Sequence, residues 1–321
     1  MKGLTDIPGI RVGHASDYEA LTGCTVILCE AGAAAGCDIR GAATGVEEFD
    51  LLSPLHLTER IHAVVLAGGS AFGLEAASGV RRYLEQKGVG FATGAAKVPL
   101  VVGAILYDLA IGKPNVRPTR EMGEAAAAAA TSEAVKEGCV GAGTGATVGK
   151  LFGMNRATKA GIGSATVALE GSQAGVLVCA LAAVNAFGDV IDPESGKIVA
   201  GARRTATGFE FAGSARELKR GAPGGVPNLN ENTTLVVVAT NARLTKPQAA
   251  RLAQMASAGM ARAISPVFTT VDGDIVIALS LGEARADLNA LGAAAAEAVA
   301  QAILRGVKLA RSMGGVPGLA G

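Results

Sequence analysis

Aromatic residues make up only 3% of this 321-residue chain, tryptophan is absent, and there are just three histidines and five cysteines. The shortage of histidine removes most zinc and triad chemistry from consideration. His14, His56 and His62 form no i, i+4 pair, and Cys24, Cys29, Cys37, Cys139 and Cys179 stand at no finger-like interval from them. No Gly-x-Ser-x-Gly elbow occurs either. Neither sign of charge is in excess, with 29 Lys and Arg against 28 Asp and Glu, so a nucleic-acid partner is not expected. Eleven prolines and irregular glycine spacing exclude collagen. A hydrophobic share of 50% and a mean hydropathy of +0.37 exclude a disordered chain. The longest apolar stretch, 175–187, is too short for a bilayer, which needs about 20 residues, and Asn185 interrupts it, so no membrane span is expected.

What is abundant is small. The 64 alanines and 45 glycines fill about a third of the positions, a composition suited to closely packed layers. The opening residues from Met1 have no apolar core of a secretory signal. The odd set of cysteines reads as reduced thiols, so a cytoplasmic protein is expected.

Periodicity predicts strands at 23–29, 61–67, 163–169, 175–184, 233–240 and 273–281. Helices are predicted at 70–86, 119–137, 245–263 and 283–313, the third opened by Thr245 as N-cap with Pro247 in the first turn. Between them, 192–232 is irregular, with Pro193, Pro223, Pro227 and a Gly/Pro/Asn-rich end. Long loops of this kind inside compact chains are usually functional or disordered. The pattern is mixed α/β without a clean repeat.

The glycine tract 141–149 fits neither nucleotide motif. Lys150 is followed by Leu151 where a P-loop needs Ser or Thr, and Gly141, Gly143 and Ala146 follow a helical rather than a strand pattern. A tight turn between packed elements is the plainer reading. Gly68–Gly73, between a strand and a helix, could lend main-chain amides to an anion pocket or be a structural turn. At Glu231-Asn232-Thr233-Thr234 an irregular segment runs directly into an apolar strand with a hydroxyl residue first. That junction is either a plain strand start or the maturation point of an N-terminal-nucleophile hydrolase. In that chemistry the hydroxyl attacks the preceding carbonyl, water cuts the resulting ester, and the freed α-amine becomes the base. An α-amine titrates near ~8, so no histidine is needed.

Six segments in order resemble the L-aminopeptidase/D-esterase family, which includes the β-aminopeptidases and a pantetheine-cleaving relative. They are Gly3-Leu-Thr-Asp-Ile-Pro-Gly-Ile-Arg-Val-Gly-His14, Cys37-Asp-Ile-Arg-Gly41, Leu66-Ala-Gly-Gly-Ser-Ala-Phe-Gly-Leu74, Gly141 to Lys150, Val184-Asn-Ala-Phe-Gly-Asp189, and Asn232 to Asn241, with Asp272-Gly-Asp274 beyond them. The resemblance implies a four-layer αββα sandwich of two mixed sheets flanked by helices. It implies one domain, 1–321, that cuts itself between Asn232 and Thr233 into an α-chain, 1–232, and a β-chain, 233–321. Thr233 is then the nucleophile and Asn185 the oxyanion-stabilising amide. Asp272 and Asp274 stand where the family keeps a polar/acidic pair orienting the nucleophile, several members having Ser-x-Glu there. Tyr107 falls near the position of an active-site tyrosine in some members, and Ser70, Ala71 and Phe72 are expected to line the pocket. The implied activity is a cofactor-free, metal-free aminopeptidase or amidase acting on a small peptide or amide through an acyl-enzyme, as a tetramer of αβ units. The alternatives are an amidase for a non-peptide, pantetheine-like amide and an uncleaved, non-catalytic small-molecule-binding protein.

Overall fold

The computed structural model describes residues 1–221 and 232–320. Nine strands join one path of mixed direction: β1 (Arg11–Asp17), β2 (Thr22–Ile39), β3 (Val46–Glu47), β4 (Ile61–Ala67), β5 (Val101–Ile105), β6 (Ile162–Ala168), β7 (Leu177–Asn185), β8 (Thr233–Ala242) and β9 (Ile275–Ala284). The hydrogen-bonded order is β6-β7-β8-β9-β2-β4-β5-β3, with β1 also on β2. Strand β2 belongs to two sheets at once. Its first half pairs with β1 and β4, its register shifts between Leu28 and Ala33, and its second half, Ala34–Ile39, pairs with β9.

Alternation along the strands shows why two sheets must stack. Leu235, Val237, Ile275 and Ile277 join Ile27, Val64, Leu66 and Val102 in one apolar cluster between the sheets. The opposite faces go to helices. Val236, Val238, Val276 and Ala278 meet α3 (Lys246–Ala263) and α4 (Leu288–Lys308), while Val26, Ala63, Val65 and Val101 meet α1 (Glu75–Gln86) and α2 (Arg120–Ala128). Strands apolar on both faces are the mark of sheets covered on both sides. Three apolar clusters between four layers make the αββα sandwich.

Small residues set the spacing. A Cβ on Gly163 would lie 2.0 Å from the Ala302 carbonyl oxygen, and one on Gly259 would lie 2.2 Å from that of Ala296. Helix α4 can therefore lie against strand β6 and helix α3 backbone to backbone. The N-terminus of α3 carries the capping box anticipated from Thr245, completed by Gln248.

The helix predicted over 119–137 ends at Ala128 instead. From Thr131 the chain pairs with the edge of β1, Val12 and Thr131 exchanging N–H···O bonds of 2.9 and 3.1 Å. Strand pairing overrides the helical preference of the alanines. The helix expected from Ser70 begins with a 3-10 turn, Ser70–Leu74, and becomes α-helical at Glu75. The predicted irregularity of 192–232 holds as far as it is described, with only Ile198–Ala200 and Ser214–Lys219 ordered into a strand and a short helix. Residues 222–231 lie outside the described chain, so the Gly/Pro/Asn-rich tract is represented only by Gly221 and Asn232.

Candidate active site

The chain ends of several strands meet around Thr233. Asn185 closes β7 and is the antiparallel partner of Thr233, which opens β8. β9 runs parallel to β8, and Asp272 and Asp274 precede its first residue, Ile275, with Asn232 bridged to Asp272. Thr233 is 2% exposed. Its Oγ1 donates to the Asn232 carbonyl oxygen at 2.5 Å, and the Gly273 N–H donates to the same oxygen at 2.8 Å. The Thr233 hydroxyl and the carbonyl of its own preceding peptide are thus in contact.

Asn185 is fully buried, and its amide orientation follows from its neighbours. Oδ1 accepts from the Thr147 N–H at 3.0 Å and from Lys150 Nζ at 2.9 Å, both obligate donors, so Nδ2 must face the Tyr107 carbonyl, 2.9 Å away. Lys150 Nζ also donates to the Asn185 carbonyl at 2.9 Å. Tyr107 is thereby brought to the site by its carbonyl oxygen. Lys150 had been noted in the sequence only as the end of the glycine tract. Its buried side chain locks Asn185, and its charge partly offsets the rise that burial imposes on Asp272.

Asp272 accepts from the Phe187 N–H at 3.1 Å and from the Thr269 N–H at 3.3 Å and the Thr269 hydroxyl. Asp274 accepts from the Thr234 N–H at 2.7 Å and the Phe268 N–H at 3.2 Å. Burial raises both carboxyls. The charge of Asp272 adds to the effect on Asp274, pushing it up to about 8, so the pair retains a proton in the neutral range. Both are buried, and both accept from main-chain N–H groups of the segments that surround Thr233.

A third buried carboxylate braces the adjoining turn. Asp108 Oδ1 accepts from the Gly69 N–H at 2.7 Å, and Oδ2 accepts from the Thr22 hydroxyl at 2.8 Å. Burial pushes it up to about 6 despite these bonds. Gly69 and Ser70 are both left-handed there, with φ of 79° and 54°, and the Ser70 N–H donates to the Leu106 carbonyl at 3.0 Å. Ala71 and Phe72 are exposed, and Arg117 lies over the Phe72 ring at 4.0 Å. No hydrogen bond among the described residues joins Ser70, Ala71 or Phe72 to Thr233; they rim the turn that Asp108 holds. Asp108 and Gly273 were not anticipated from sequence. No group of three or more His, Cys, Asp or Glu able to hold a metal occurs among the described residues.

Comparison with known proteins agrees with this architecture. The profile of Peptidase family S58 matches residues 2–320. An uncharacterized aminopeptidase of Mycobacterium tuberculosis is 39% identical, the alignment covering 99% of this chain and 96% of that protein. A 6-aminohexanoate-oligomer endohydrolase of Agromyces is 31% identical over 94% of this chain and 85% of its own length. Among solved structures, a Burkholderia β-aminopeptidase superposes with a TM-score of 0.70 at 25% identity, over 99% of this chain and 90% of its own. The L-aminopeptidase D-Ala-esterase/amidase of Ochrobactrum anthropi, described as a variant of the Ntn hydrolase fold, gives a TM-score of 0.75 at 21% identity, covering 98% of this chain and 88% of its own.

Proposed function

Since this chain belongs to peptidase family S58 and is a hydrolase of aminopeptidase or amidase type, we propose that Thr233 is its nucleophile, exposed by self-cleavage of the Asn232–Thr233 bond. The observation that carries the reading is the contact between Thr233 Oγ1 and the Asn232 carbonyl at the head of a buried strand. Attack by Oγ1 on the Asn232 carbonyl carbon converts the peptide into an ester, water then frees residues 1–232, and the new α-amine of Thr233 acts as base toward its own hydroxyl. Asn185 supports the substrate's developing oxyanion. Asp272 and Asp274, held by main-chain N–H groups, orient the strand that carries the nucleophile. Lys150 fixes Asn185.

Intact mass of freshly purified and incubated protein tests the maturation. The wild type should resolve into fragments 1–232 and 233–321, while Thr233→Ala should stay full length. A wild type that remains whole yet hydrolyses substrate would overturn the α-amine mechanism.

A substrate with a free amino group on its acyl side, such as a short peptide or amino-acid amide, is the first choice. The second reading, an amidase for a non-peptide amide, draws support from the relatives named as 6-aminohexanoate-oligomer endohydrolases. Aminoacyl-p-nitroanilides and linear 6-aminohexanoate oligomers separate the two by which panel is turned over. We place the protein in the cytoplasm, in keeping with five free cysteines, of which burial pushes Cys24, Cys29 and Cys179 up to about 12. Assembly into a tetramer of αβ units is part of the same proposal, to be read by light scattering.

A further inference from the structure

We propose that the main-chain N–H of Gly273 is the oxyanion donor of the maturation step, and that residue 273 must be glycine because the reacting hydroxyl occupies the space of a side chain. The inference rests on Thr233 cutting the Asn232–Thr233 bond and adds the group that stabilises that reaction. The Gly273 N–H lies 2.8 Å from the carbonyl oxygen that becomes negative when Oγ1 attacks, so the donor already sits where charge develops.

Its direction is fixed from both sides. The Arg40 and Gly41 N–H groups donate to the Asp274 carbonyl at 3.0 and 3.1 Å, and the Ala43 N–H donates to the Asp272 carbonyl at 2.9 Å. The segment 40–43 thus holds the 272–273 peptide, which carries the Gly273 N–H, and the 274–275 peptide just beyond it. A Cβ on Gly41 would stand 2.2 Å from the Asp274 nitrogen, which shows how closely the clamp lies on this backbone. A Cβ on Gly273 would stand 2.6 Å from the Ala43 carbonyl oxygen and 2.7 Å from Thr233 Oγ1.

The atoms balance without an outside reagent other than water. The Oγ1–C bond forms as the C–N bond of the Asn232–Thr233 peptide breaks, and the hydroxyl proton passes to the nitrogen that becomes the α-amine. Hydrolysis of the ester then returns the hydroxyl to Thr233 and leaves a carboxylate on Asn232. Both tetrahedral intermediates place their negative oxygen on the Gly273 N–H. A ladder hydrogen bond of purely structural value would tie the chains together there but would leave the cleavage rate alone once the fold had formed.

The test replaces Gly273 by glycolic acid through nonsense suppression, turning its amide N–H into an ester oxygen without adding a side chain. The full chain is synthesised in a cell-free system, its fold is checked by circular dichroism, and cleavage is followed by intact mass. Loss of the donor should slow cleavage by about 10²–10³-fold. Cleavage at the wild-type rate would overturn the proposal while leaving Thr233 as nucleophile. If the wild type itself is not cut between Asn232 and Thr233, both fall together. Should the ester chain not fold, Gly273→Ala supplies the second measurement: persistence of the folded precursor supports the inference, and wild-type cleavage refutes it.

Discussion

Replacing Asp108 by Asn isolates the electrostatic cost of a buried carboxylate that holds the turn beside the site. The geometry survives the change. The Asn oxygen can still accept from the Gly69 N–H, and its amide can donate to the Thr22 hydroxyl, which accepts as readily as it donates. What disappears is ionisation. In the wild type, burial lifts the carboxyl from 3.8 to about 6, so between these values the folded protein binds more protons than the unfolded chain. Stability from this group is therefore fully present only below pH 3.8, falls as pH rises through about 6, and is level above. At about 1.4 kcal/mol per pH unit the span amounts to roughly 3 kcal/mol. With an unfolding entropy of about 2.1 cal/mol/K per residue, that corresponds to roughly 4 °C in the melting midpoint of a chain this long. Differential scanning of both proteins at pH 4.5, 5.5 and 7 reads it. The midpoint of Asp108→Asn relative to wild type should climb by about 3 °C across the series, because pH 4.5 already lies above 3.8, with the rise nearly complete by pH 7. A constant offset at all three pH values would refute the assignment of a raised pKa to Asp108.

Two further outcomes follow from the same geometry. Asn185→Ala, assayed as matured protein, should lower kcat by about 10²–10³-fold with a smaller change in KM, as loss of one oxyanion donor does; an unchanged kcat would remove Asn185 from the reaction. Gly259→Ala should destabilise the fold by about 1–3 kcal/mol in urea unfolding, although alanine favours helix, because its methyl meets the Ala296 carbonyl. A stabilised variant would show that α3 and α4 do not need their close approach.

The strands were legible because each carries apolar residues on both faces, and β4 matches its predicted limits, 61–67. The layering was not legible from periodicity. It came from resemblance, because which face of Val64 or Val65 meets a sheet and which meets a helix depends on partners far along the chain. The end of α2 was missed for the same reason, since Thr131 leaves the helix to pair with Val12. At the site, the order of motifs pointed to Thr233, Asn185 and the Asp272/Asp274 pair. Lys150 and Asp108 stayed hidden because a charged residue in sequence looks like surface. Only the fold reveals that Lys150 donates twice to Asn185 or that Asp108 answers an N–H 39 residues away. Tyr107 reaches Asn185 through its carbonyl, a contact that no side-chain pattern signals.

Strand β8 lies inside its sheet, between β7 and β9, and everything C-terminal to it supplies β9 and both outer helices. With the Asn232–Thr233 bond cut as proposed, the two polypeptides interlock without a covalent tie, and neither holds a complete core. The uncut chain refolds as one molecule, at a rate indifferent to its dilution. The matured protein, once denatured, has to find its other piece, so its recovery depends on concentration and fails in dilute solution. The proposed maturation would thereby turn a reversible fold into one that is assembled in order, a single time.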